Sequence, residues 1–158
     1  MKILIWPGHH DPVDALIKFL THGRGSHAAF LRADDITVHE AFYPQVRDRI
    51  VMPHDRRTAE VFALGGVTER QHAQFEQLFN HNLNRHIQYS IADLLRYAFN
   101  CPNRDEAHTF CSRYVMHCLI TVLHPLQLPL RRLPARDWAS PRDLRISPKL
   151  HLLEEFLR

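Results

Sequence analysis

The stretch Gly25-Ser26-His27-Ala28-Ala29-Phe30-Leu31-Arg32-Ala33-Asp34-Asp35-Ile36-Thr37-Val38-His39-Glu40-Ala41 decides the fold. It reads as two strands joined by a tight turn at Ala33-Asp34-Asp35. Short runs rich in β-branched and aromatic residues around an Asp-containing turn signal a hairpin. With Ala33-Asp34 as the loop, Leu31 pairs with Ile36, Ala29 with Val38 and His27 with Glu40. Those six residues share one face, because side chains alternate along a strand. The other face carries Arg32 with Asp35, Phe30 with Thr37 and Ala28 with His39. The more apolar face therefore ends in His27 and Glu40, directly opposed with Cβ atoms about 5 Å apart. An imidazole beside a carboxylate is the arrangement of a base and its orienting acid. A solvent-edge pair at the open end of a hairpin accounts for the same two residues.

The segment Thr109-Phe110-Cys111-Ser112-Arg113-Tyr114-Val115-Met116-His117-Cys118-Leu119 tips that balance. It reads as a helix with Cys111 in its first turn, running to about Leu123 and stopping before Pro125. A cysteine there gains thiolate character from the helix dipole and from exposed N–H groups, and a nearby imidazolium adds to it. The thiolate attacks an acyl carbon, the imidazolium later protonates the leaving group, and a carboxylate fixes the ring. Cys111, His27 and Glu40 supply those three parts. Cys118 lies two turns deeper, on the apolar stripe of Cys111, Tyr114, Val115, Cys118, Leu119, Val122 and Leu123, and reads as core. Cys101 sits in a loop before Pro102, with no base assigned to it. A buried small hydrophobe is the ordinary fate of a lone cysteine, Cys111 included. The Cys111 N–H, unpaired at a helix start, is a natural oxyanion donor. Tyr89, His108 and Ser26 are the side-chain candidates for the oxyanion or substrate, though each also suits a structural role.

Composition narrows the classes. The 158 residues are expected to form one domain, and 45% hydrophobic and 23% charged residues are the proportions of a globular protein. Lys plus Arg is 20 against 17 Asp plus Glu, and a net charge of +3 is too small to argue for nucleic acid. Three Cys fit no disulfide framework, which points to a reducing compartment. The apolar start Met1 to Trp6 is too short for a secretory signal, and no run reaches the ~20 residues of a membrane span. A cytoplasmic location is expected. The 13 His are scattered, with neither C-x-x-C nor H-E-x-x-H, so neither a metal nor another cofactor is expected.

The remaining elements follow from local signals. Lys2 to Trp6 is a buried-type strand ended by Pro7-Gly8. Asp11 to Leu20 is a short helix that Asp11 caps. Ala41 to Met52 reads as irregular, with Pro44 limiting the strand, and Ala59 to Leu64 as a third strand. Thr68 and Gln71 form a capping box before a helix with Phe75, Leu78, Phe79 and Leu83 inward. Ser90 and Asp93 open another helix, Ile91 to Phe99, with Leu94, Leu95 and Ala98 inward. His124 to Lys149 is Pro-rich and extended, with room for an edge strand, and Lys149 to Arg158 reads as a helix.

Taken together these blocks resemble the circularly permuted NlpC-type branch of the papain-like cysteine peptidases. Ser26-His27-Ala28-Ala29, Val38-His39-Glu40-Ala41 and Phe110-Cys111-Ser112 match its three catalytic blocks in order. Trp138-Ala139-Ser140-Pro141-Arg142-Asp143-Leu144 looks like its C-terminal S-P-x-D-L segment. Gly8-His9 stands where relatives often have Gly-Asp, and Arg113 where they often have Glu. The resemblance implies an α+β, permuted papain-like domain over residues 1–158, a small antiparallel sheet packed against the helix of the nucleophilic Cys111. It implies a cysteine hydrolase, an amidase or peptidase with a Cys111-His27-Glu40 triad, acting on a peptide- or acyl-containing substrate such as peptidoglycan peptides. An acyltransferase or lipid thioesterase would use the same triad, and a non-catalytic binding or phage structural module is the alternative from another class. Bacterial and phage-encoded members are common, so export without a classical signal stays open beside the cytoplasmic expectation. Fold kinship does not fix the substrate.

Overall fold

The apolar run Ile3-Leu4-Ile5 is wholly buried on both sides, as a central strand requires, and it forms the middle of β1 (Lys2–Trp6). The computed structural model describes residues 1–7, 12–21, 25–52, 58–98, 107–124, 128, 140–145, 147 and 149–153. Among them are eight strands and five helices, a mixed α+β arrangement around one curled sheet. The further strands are β2 (His27–Leu31), β3 (Thr37–Phe42), β4 (Gln45–Ile50), β5 (Glu60–Leu64), β6 (Gln88–Tyr89), β7 (His108–Thr109) and β8 (Leu150–Leu153). Their order is β7-β6-β4-β3-β2-β1-β5-β8, antiparallel except for the β6–β7 pair. The helices are α1 (Pro12–Thr21), α2 (Glu69–Asn84), α3 (Ile91–Ala98), α4 (Cys111–Val122) and α5 (Pro141–Arg145).

The hairpin forms, with its register moved by two residues. Phe30 pairs with His39 and Leu31 with Val38, around a four-residue loop, Ala33 to Ile36. Asp34 causes the shift. Its carboxylate accepts the N–H groups of Ile36 and Thr37 at 2.9 and 2.8 Å, and Asp35 takes the left-handed φ of 55° that closes the turn. Carried to the strand ends, this register sets Phe42 opposite His27, and Glu40 becomes its diagonal neighbour. A slip of two keeps every side chain on its face.

The larger core lies on the face opposite to His27. Ile3, Ile5, Ala28, Phe30 and Ala41 meet Phe75 and Phe79 of α2 and Tyr114, Val115, Cys118 and Leu119 of α4. The body of α4 thus lies against the Phe30 face of the hairpin, not the His27 face. Phe30 and its neighbours offer the wider apolar area, so the body of the helix covers them. The curl of the sheet leaves Leu4, Trp6, Ala29, Leu31, Val38 and Val61 in a second, smaller cluster on the His27 face.

Four more expectations change. Residues 45–50 are a strand although Val46 is their one buried apolar residue, because Arg47, Asp48 and Arg49 find ionic partners across the sheet. Pro141–Arg145 is helical, opened by reciprocal bonds between Ser140 and Asp143. Residues 150–153 are an edge strand on β5, where Leu150 is buried, rather than a helix. In α3, Leu94 is buried but Leu95 is 40% exposed. The capping box at Thr68 and Gln71 forms as expected, and α2 buries Phe75 and Phe79. The α1 cap at Asp11 and the loop 100–106 lie outside the described residues.

A buried polar chain fastens α4 to the sheet. The ionised Asp48 accepts from His39 Nδ1, His39 Nε2 bonds the Tyr114 hydroxyl at 2.7 Å, and Asn82 Nδ2 donates to that hydroxyl at 2.9 Å. His39 and Asn82 are buried, so each bond replaces one that water cannot supply. Removing the hydroxyl with Tyr114→Phe leaves His39 Nε2 without that partner and Asn82 Nδ2 with only its 3.9 Å contact to the Cys118 sulfur. Urea denaturation should show a loss of roughly 1–3 kcal/mol; a loss below about 0.5 kcal/mol would mean that the chain does not fasten the helix.

Candidate active site

The site forms where β2 begins. Gly25 enters between β1 and α5, and a Cβ there would lie 3.1 Å from Pro141 Cβ and 3.2 Å from Ile5 Cγ2. The Ser26 N–H bonds the Trp6 carbonyl at 2.9 Å and leads into the strand. His27 then stands between two aromatic rings, Trp6 with centroids 5.2 Å away and Phe42 edge-on at 5.5 Å.

The diagonal register lets the long Glu40 side chain reach the imidazole, and Nε2 lies 2.9 Å from Oε2. Glu40 is only 1% exposed. Its other oxygen, Oε1, accepts from Arg47 Nε at 3.0 Å and Arg49 Nε at 2.9 Å, both brought by β4. Burial would raise the Glu40 pKa, but His27 and the two guanidiniums hold the carboxyl down to about 2. Burial would likewise lower His27. The Cys111 thiol and Glu40, through hydrogen bonds and charge, push it up to about 10. Both directions favour the imidazolium–carboxylate pair.

Cys111 is the first residue of α4, after Phe110 in extended backbone with no side-chain cap. The body of the helix covers the opposite face, but its first residue reaches the strand end where both faces meet. There the thiol lies 3.9 Å from the Ser26 carbonyl and acts on His27. Glu40 occupies Nε2, which leaves Nδ1 as the ring nitrogen for the thiol. The three expected site residues are thus brought together, although Cys111 is just 1% exposed.

The oxyanion candidates separate. Ser26 touches the Cys111 thiol through its carbonyl, and its hydroxyl is buried with no partner among the described residues. Tyr89 in β6 packs with Ile17, Leu94 and Phe110. His108 in β7 pairs with Gln88, and its carbonyl accepts from Arg113 at 3.4 Å. Both flank the segment leading into α4. Ser112, to which sequence reasoning assigned no role of its own, also has a buried hydroxyl with no partner among the described residues, next to Cys111. Cys118 is fully buried, which pushes its thiol up to about 12. Cys101 lies outside the described residues.

Sequence reasoning missed Trp6, Phe42, Arg47 and Arg49 around the pair. The signal for the arginines was the alternation Arg47-Asp48-Arg49 after Tyr43-Pro44, which puts both arginines on the face of Glu40. Among the described residues no group of three or more His, Cys, Asp or Glu side chains is arranged to hold a metal ion. No described helix is long and apolar enough to cross a membrane. Neither a scan against protein-family models nor a search of curated proteins finds a match for the chain.

Proposed function

We propose that the protein is a cysteine hydrolase of the permuted papain-like, NlpC-type kind, an amidase or peptidase with Cys111 as nucleophile, His27 as acid and base, and Glu40 as orienter. One observation carries the reading. The His27–Glu40 pair, bonded at 2.9 Å with its carboxylate buried, meets a cysteine at the first position of a helix. The chain order supports it too: the His strand, then the Glu strand, then the Cys helix packed on the sheet.

In the first step Cys111 Sγ adds to the carbonyl carbon, and the carbonyl electron pair moves onto its oxygen. The Cys111 N–H at the helix start is the proposed donor to that oxygen. The C–N bond then breaks as His27 delivers its proton to the departing amine, leaving an acyl-thioester. In the second step His27 takes a proton from water, the hydroxide adds, and the thiolate leaves. Glu40 keeps the ring oriented and favours its charged form throughout. Amide-linked peptides, such as those of a cell wall, are the proposed substrates. An ester panel tests the acyltransferase or thioesterase use of the same triad.

Thiol selectivity tests the assignment without a substrate. Iodoacetamide near neutral pH should modify Cys111 roughly tenfold faster than Cys101, since thiolate fraction governs the rate, and should leave the buried Cys118, pushed up to about 12, unmodified. Peptide mapping after brief exposure reads the result. Preferential labelling of Cys101 would move the nucleophile elsewhere.

A further inference from the structure

We propose that Phe42 lines the leaving-group side of this site and selects amides whose departing amine carries an aromatic or apolar group. The inference rests on the cysteine hydrolase reading and names the substrate chemistry on one side of that site.

The direction follows from the proton. His27 delivers its proton to the departing amine, so the amine leaves across the imidazole. Whatever is bonded to that amine meets the residues packed on the ring. Two aromatic rings are packed there, and they differ in exposure. Trp6, with centroids 5.2 Å from His27, is 2% exposed and closes the inner side. Phe42 stands edge-on to the imidazole at 5.5 Å and is 43% exposed. The His27 side chain is itself 13% exposed, against 1% for Glu40, and the thiol is covered. The approach to the reacting groups therefore runs along His27, beside Phe42. A lone aromatic ring on a surface needs no explanation. This one is seated against the proton donor, on the side where the product amine departs.

Phe42 is also held in place. It ends β3 and pairs with Gln45 of β4 across the two-residue turn Tyr43-Pro44. The Tyr89 N–H donates to the Pro44 carbonyl at 2.8 Å, and the Val46 N–H to the Ile87 carbonyl at 2.8 Å, so the turn is tied to the chain at β6. The Arg47 guanidinium, itself bonded to Glu40, lies over the ring with Cζ 4.4 Å from its centroid. A ring fixed in this way loses little freedom when an apolar group packs on its exposed part. A second ring gains beyond the area it buries, whereas an amine carrying only a methyl group covers little of it.

The test runs the leaving step backwards on the intact protein. p-Nitrophenyl acetate acetylates Cys111 and releases p-nitrophenolate, and an added amine competes with water for the acetyl group. The amine nitrogen adds to the thioester carbonyl, the C–S bond breaks, and His27 receives the amine proton. The acceptor amine thus occupies the place of the leaving one. Phenylalanine amide and alanine amide are supplied together, and mass spectrometry measures the two N-acetyl products. Their ratio, divided by the ratio from S-acetylglutathione, should be about tenfold. Phe42→Ala should bring it within about twofold of unity, and Phe42→Leu should leave it in between. The ratio compares two acceptors of one acetyl-enzyme, so a general loss of activity does not move it. A ratio near unity in the unaltered protein, or transfer to neither amine, overturns the leaving-group site and leaves the nucleophile standing. A high ratio that neither Phe42 variant lowers overturns the role of Phe42, and Phe42→Leu decides that question if Phe42→Ala does not fold. Absence of the acetyl group from Cys111, with Cys111→Ala as the blank, overturns the hydrolase reading and this proposal with it.

Discussion

Alanine at His27 should slow the alkylation of Cys111 about a hundredfold near neutral pH, and alanine at Cys111 should abolish turnover. The second effect is absolute because no other group can form the thioester. The first follows from charge: the thiol and Glu40 both favour the imidazolium, and Glu40 is bonded to Nε2. General acid–base contributions run from roughly a hundredfold to ten-thousandfold. Glu40→Gln should fall near the lower end of that range in turnover. The amide can still hold Nε2, but it no longer stabilises the imidazolium. The order is therefore Cys111 and His27 first and Glu40 clearly after them. Alkylation rates against pH measure the His27 and Glu40 effects with no substrate in hand. If Glu40→Gln leaves both the rate and its pH profile unchanged while His27→Ala alters them, Glu40 does not orient the base.

The same pair should shape folding stability across pH. The Glu40 carboxyl is held at about 2, below its ordinary 4.5, so its contribution is full above pH 4.5 and disappears as pH falls through 2. The His27 imidazolium is held at about 10, above its ordinary 6.5, so its contribution is full below pH 6.5 and disappears as pH rises through 10. Both are complete together between about pH 4.5 and 6.5. Denaturant unfolding of the protein should be most resistant there, relative to His27→Gln and Glu40→Gln, and the difference should shrink on either side. A gap between protein and variants that stays constant from pH 3 to pH 9 would mean that the pair does not titrate as described.

The hairpin, the meeting of His27 with Glu40 and the caps at Thr68 and Ser90, whose hydroxyls accept from the Gln71 and Asp93 N–H groups, were legible because each rests on a local rule of spacing. What escaped rests on partners distant in sequence. Strand β4 has one buried apolar residue, and Arg47, Asp48 and Arg49 look like a solvated run until Glu40, Arg32 and His39 are set beside them. The C-terminal edge strand was hidden because Leu150, Leu152 and Leu153 suit a helix as well as a strand, and only the free edge of β5 decides. The side taken by α4 was hidden because a hairpin with apolar residues on both faces does not say which face is covered by helices. The hairpin register needed the side chain of Asp34, which the count of turn residues ignores.

The alternation of β3 gives the turn at Asp34 an odd–even rule. Neighbouring residues of that strand serve opposite layers, Glu40 the bond to His27 and His39 the brace to Tyr114. Lengthening or trimming the turn by an even number of residues would keep each in its own layer and shift only how far Glu40 stands along the strand. An odd change would exchange them, sending a carboxylate toward Phe79 and Tyr114 and an imidazole toward His27 and the arginines. Insertions and deletions in this loop are therefore constrained by parity more than by size, although the loop itself lies at the surface and touches no reacting atom.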